Sequence, residues 1–150
     1  MSSTLDLRGI IAIALGAVLI RSAFLHIGNN FAFLSSVFSY DLTSPTVGIV
    51  VATVLPCLQL AIGITMLFIP DLRKDALGCA AATFLVFGVV QTITYSRGLN
   101  ISCGCFGSHE DNPIGPWSIF FVSVCFVAAT ATWFQTKRAG NSANLEVQAN

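Results

Sequence analysis

Apolar positions fill four long stretches of this 150-residue chain, and charged residues gather in short clusters between them. No Asp, Glu, Lys or Arg occurs between Asp41 and Asp71, between Asp75 and Arg97, or between Asp111 and Lys137. Each gap holds the roughly 20 apolar residues that a helix needs to cross a hydrocarbon core about 30 Å thick. The pattern therefore predicts spanning helices near residues 47–69, 76–95 and 117–135. A further apolar stretch predicts a helix over 7–27, interrupted by Arg21. Its unbroken part, 10–20, has the length of a signal peptide core, but no small-x-small cleavage pattern follows, because Arg21 directly precedes Ser22 and Ala23. It reads as a retained helix, which makes four spans.

Between the first two spans, Phe31, Leu34 and Phe38 recur at helical spacing after Asn29 and Asn30. That predicts a short amphipathic helix lying in the membrane interface, with a loop whose aromatic rings rest among headgroups as the alternative. Pro45 suits the first turn of the second span, where its missing N–H leaves no bond unmade. Pro56 falls inside that span and is expected to kink it, freeing the Ala52 carbonyl. From Ala139 onward the tail "AGNSANLEVQAN" is polar and reads as disordered. The expected fold class is all-α: an integral membrane four-helix bundle with a short interfacial helix and an outward cysteine loop. It occupies residues 1–138 as one domain, with 139–150 as a cytoplasmic tail.

Composition narrows the class further. Hydrophobic residues make up 55% of the chain and charged residues 9%, with a mean hydropathy of +0.80. Soluble domains carry roughly 25% charged residues, so this chain cannot cover a water-facing surface, and its first partner is the lipid bilayer. Seven basic and seven acidic residues leave no net charge and no basic face for nucleic acid. In a four-span arrangement Arg8, Arg73, Lys74, Lys137 and Arg138 fall on one side, whereas Arg97 lies on the other. The excess of Lys and Arg on the first side sets both termini in the cytoplasm. Residues 28–45 and 96–116 then face outward, toward the periplasm or the cell exterior.

Candidate chemistry lies in the second of these outward segments. Cys57, Cys79 and Cys125 fall within predicted helices and read as small apolar core residues. Cys103 and Cys105 stand apart in "ISCGCFGSHE", separated by Gly104 and followed by Gly107. A C-x-C pair can close a small, strained disulfide, the kind that is easily reduced and exchanged. A metal clip is the second reading, with His109 as a further ligand for Cu(I) or Zn. A structural turn or static disulfide is the third. Arg21, His26, Gln91, Thr94, Tyr95 and Arg97 are expected at the same depth beneath this loop, where a nearby cation would favour a thiolate. If Arg97 approaches the pair, Cys103 becomes the attacking thiol and Cys105 the resolving one. The sequence shows no cofactor site.

The stretch "YSRGLNISCGCFG" resembles the "RG…CGCFG" signature of the MauE branch of the DoxX-like membrane proteins. "FAFLSSVFSYDL" and "VLPCLQLAIGITMLF" are similar to further segments of that family, and the resemblance runs from about residue 8 to 135. Gln59 departs from it, standing where the family is expected to carry Glu. The resemblance implies a four-helix membrane protein tied to periplasmic thiol–disulfide chemistry. It further implies a thioredoxin-like partner in the maturation of a disulfide-containing client, as in methylamine utilisation. It assigns Cys103 and Cys105 as the redox pair, with Gly104, Phe106 and Gly107 shaping the loop. A lipid-soluble quinone is a candidate for regenerating such a pair. Two alternatives stay open at this point, a metal-handling assembly factor and a non-catalytic structural subunit, and with them the question of enzymatic activity.

Overall fold

The computed structural model describes residues 7–28, 30–39, 44–98 and 115–148. Five α-helices follow in order: α1 (Leu7–Gly28), α2 (Asn30–Ser39), α3 (Pro45–Phe68), α4 (Arg73–Ser96) and α5 (Pro116–Gln148). A single 3-10 turn, Pro70–Leu72, joins α3 to α4. Among the described residues there is no strand. Four segments are long and apolar enough to cross a bilayer: Leu7–Gly28, Pro45–Phe68, Pro70–Ser96 and Pro116–Arg138. These are the stretches predicted by the three charge-free gaps and by the apolar run around Arg21, with ends displaced by up to six residues. The protein is an all-α, multi-pass membrane bundle.

The ends of the helices follow local chemistry. Ser44 is extended and precedes α3, with Pro45 in its first turn as expected. The helix runs on through Pro56 to Phe68 without a break in its assignment. At its C-terminus the Ile69 N–H bonds to the Thr65 carbonyl, and the Arg73 Nε–H donates to the Met66 carbonyl at 3.0 Å. Terminal carbonyls of a helix have no partner within it, so Arg73 satisfies a group that would otherwise lie bare at the bundle's end. At the far end of α4, Gly98 adopts a φ of 67°, a left-handed conformation that suits glycine. The last helix departs from expectation. It continues through the polar tail to Gln148 instead of ending near residue 135. Extending a formed helix avoids the cost of nucleation, and Ala139, Ala143, Leu145, Glu146 and Gln148 all propagate it readily.

Small residues organise the packing. The most extensive contacts pair α1 with α3 and α4 with α5, and the two pairs join through α3–α4 and α1–α5. Where α1 crosses α3, Gly16 and Gly63 face one another. A methyl group added to Gly63 would lie 2.9 Å from the Gly16 carbonyl oxygen and 2.6 Å from Ile20 Cγ1. Lipid tails are as apolar as Leu, so helices in a bilayer gain by close van der Waals contact rather than by escape from water. Glycine permits that approach. Between α4 and α5, Ala76, Ala80 and Ala81 share the core with Cys125 and Ala129, and the Trp133 indole lies over Gly78. The short α2 rests on α3, its Phe38 ring covering Gly48. Phe31 is exposed on α2, as an interfacial helix requires. Elsewhere Ile10, Val50, Val54, Leu58, Val86 and Phe120 project outward, giving the bundle an apolar exterior suited to lipid.

Candidate functional site

Consecutive spanning helices alternate in direction. The end of α1, the start of α3, the end of α4 and the start of α5 therefore share one end of the bundle. The segment joining α4 to α5 connects two helices at this end, and it carries Cys103 and Cys105. Both cysteines and His109 lie outside the described residues. The described bundle from this end to its middle is unusual for its buried polar side chains. Ser22, His26, Gln59, Gln91 and Thr94 are each at most 4% exposed, although they belong to segments that cross a membrane. Polar groups in such segments are costly unless bonded, so each needs an account of its partners.

Thr94 bonds to the carbonyl one turn back, that of Val90, at 2.8 Å. Thr83 and Thr132 likewise bond to Cys79 and Ala128. These hydroxyls satisfy themselves within their own helices and carry no further chemistry. Ser22, His26 and Gln59 behave differently, forming a chain between helices. Gln59 Nε2 of α3 donates to Ser22 Oγ of α1 at 3.4 Å, and Ser22 Oγ lies 3.3 Å from His26 Nε2, one turn further along α1. With the Ser22 oxygen accepting from Gln59, its hydroxyl proton is available to His26 Nε2. In that direction the ring proton sits on Nδ1; in the opposite tautomer Nε2–H donates to Ser22 Oγ. Both contacts are long, so the chain is loosely tied. The Gln59 Oε1 atom accepts no hydrogen bond from any described group, and Gln59 is 1% exposed. A buried acceptor left unpaired costs about 1–3 kcal/mol.

The expected polar cluster divides in two. His26, Gln91 and Thr94 face inward, whereas Arg21, Tyr95 and Arg97 are exposed. The reason is rotation about the helix axis. Ser22 and His26 continue the buried stripe Ala12, Leu15, Leu19, and Arg21 is one residue off that stripe, turned outward by about 100°. Among the described residues Arg21 makes no ion pair. Ser22 was not singled out in the sequence; its fourfold spacing from His26 along the Leu15–Leu19 register was the available signal. The cysteines within helices also divide. Cys125 is buried as expected, but Cys57 and Cys79 are exposed on the outer faces of α3 and α4, against the expectation that they fill the core. Among the described residues, no three His, Cys, Asp or Glu side chains gather as a metal site.

Four apolar helices packed through small residues, with buried polar groups collected toward one end, define a multi-pass integral membrane protein. Within that class the family can be stated. The sequence matches the family described as methylamine utilisation protein MauE over residues 5–135, most of its length, and the chain belongs to that family. No curated protein matches it, and no solved structure does.

Proposed function

We propose that this protein is a membrane thiol–disulfide redox protein whose working pair is Cys103 and Cys105. The observation that carries the reading is the C-G-C pair in the segment between the last two spans of a MauE family member. The family's name adds a link to methylamine utilisation, and the client is then a disulfide-containing protein of that system. The clustering of Arg8, Arg73, Lys74, Lys137 and Arg138 on one side supports a pair on the periplasmic side of the inner membrane, where disulfides persist. A thioredoxin-like protein on that side is the partner, and a membrane quinone is a candidate oxidant for the pair.

The exchange balances without a metal. A Cys103 thiolate attacks one sulfur of the partner's disulfide, forming a mixed disulfide and releasing the partner's other sulfur as a thiolate. Cys105, as thiolate, then attacks Cys103, closing the Cys103–Cys105 disulfide and releasing the second partner sulfur. Two electrons pass to the partner, whose thiolates take up two protons from water. The reverse sequence oxidises the partner through the same mixed disulfide, and it is this direction that a quinone would sustain, by accepting two electrons and two protons from the reduced pair.

The test is a trap. With Cys105→Ser the mixed disulfide cannot be resolved, so a covalent adduct to a periplasmic protein should accumulate and disappear on treatment with dithiothreitol. Cys103→Ser should trap little. Absence of any reducible adduct from both variants, in cells where the protein is made at normal levels, would remove the reading.

A further inference from the structure

The Ser22–Gln59 contact borders a small cavity of about 20 Å³ at the meeting of all four spanning helices. Its walls are apolar, contributed by Val18 and Leu19 of α1, Phe84 of α4 and Val122 of α5, apart from the two polar side chains themselves. Ser22 is 4% exposed and Gln59 1%, so neither reaches solvent or headgroups. One water fits where a cavity offers roughly 10–15 Å³ of accessible volume and at least two polar partners. This cavity meets both conditions and is too small for a larger ligand.

We propose that it binds a single water molecule that donates one hydrogen to Gln59 Oε1 and the other to Ser22 Oγ. The hydrogen-bond inventory closes on this assignment. Gln59 Oε1 has no described donor. Ser22 Oγ has two lone pairs, one accepting from Gln59 Nε2, and with its own proton given to His26 Nε2 the other lone pair is open. A molecule with two hydrogens to give completes both acceptors, and the long contacts of 3.3 and 3.4 Å become two sides of a network with a third member. The water stands about 9 Å along the axis from the end of α1, six residues beneath Gly28. It makes the centre of a bilayer-spanning bundle locally wet beneath the end that carries the cysteine segment. The inference is independent of any redox role for that segment.

Water–methyl cross-relaxation by NMR tests it, on the full chain in nanodiscs with methyl-labelled Ala, Val and Leu. Methyl protons do not exchange, so cross-peaks to the water resonance report proximity. They are expected at Val18, Leu19 and Val122, and absent at Ala129 and Leu77, deep in the core away from the cavity. In Gln59→Leu the cavity loses its main acceptor, and the three cross-peaks should vanish while the Ala129 and Leu77 signals keep their positions. If that variant does not fold, Ser22→Ala, which removes the second acceptor, should weaken the same cross-peaks. Wild-type protein without water cross-peaks at these methyls would overturn the site. So would cross-peaks of undiminished intensity in whichever variant folds.

Discussion

Replacing Gly63 with Ala puts a methyl group into the closest crossing in the bundle. The new Cβ would lie 2.9 Å from the Gly16 carbonyl oxygen and 2.6 Å from Ile20 Cγ1. The Ile20 side chain can rotate, but the carbonyl belongs to a rigid helix. Reaching an ordinary contact of about 3.4 Å requires α1 and α3 to part locally by about 0.5 Å, which loosens the contacts of Leu19, Ile62 and Met66 around the crossing. Overpacking of this kind costs about 1–3 kcal/mol. Gly16→Ala should cost less, because its nearest obstacle is the flexible Leu67 Cδ1 at 2.7 Å and the Gly63 carbonyl is further, at 3.2 Å. Gly88→Ala is the control. Its Cβ would meet only Val122 Cγ1, at 3.6 Å, and removing a helical glycine gains about 0.5–1 kcal/mol of backbone entropy. Reversible unfolding of the three variants in lipid bicelles should rank Gly63→Ala as least stable, then Gly16→Ala, with Gly88→Ala equal to or above wild type. A Gly63→Ala protein as stable as Gly88→Ala would refute the claim that backbone proximity at this crossing holds α1 to α3.

Arg73→Ala removes the donor that caps the Met66 carbonyl, and the same unfolding assay should register a loss of about 1 kcal/mol; an unchanged midpoint would mean that water serves that carbonyl equally well. A reporter active only in the cytoplasm should work when fused after Lys137 and fail when inserted beside Gly107; the opposite pattern would put Cys103 and Cys105 in a reducing compartment and defeat the redox proposal. Alkylation rates measured against pH on Cys105→Ser and Cys103→Ser proteins should show the faster, more acid-shifted reaction at Cys103. A faster Cys105 would reverse the order of attack. Protection of both thiols that a chelator lifts and His109→Ala abolishes would favour a metal site instead.

The sequence by itself determined the number of spans, their approximate limits and the separate standing of the Cys103–Cys105 segment. These are one-dimensional properties. A bilayer sets the length of an apolar run, and charges mark where a run must stop, so the gaps after Asp41, Asp75 and Asp111 disclosed three spans and the apolar run around Arg21 the fourth. Pro45 and the spacing of Phe31, Leu34 and Phe38 likewise disclosed local starts without knowledge of neighbours. Rotation about each axis was another matter. In a soluble helix the polar face declares which side is outward, but a lipid-facing surface is as apolar as the core it covers. Depth along the chain therefore placed Arg21, His26, Gln91 and Tyr95 together, while only packed helices could turn His26 and Gln91 inward and leave Arg21 and Tyr95 outside. The same ambiguity hid the outward faces of Cys57 and Cys79. Tertiary structure alone brought Gly16 against Gly63 and Gln59 to Ser22, residues 47 and 37 positions apart in sequence, because each contact depends on how two helices cross.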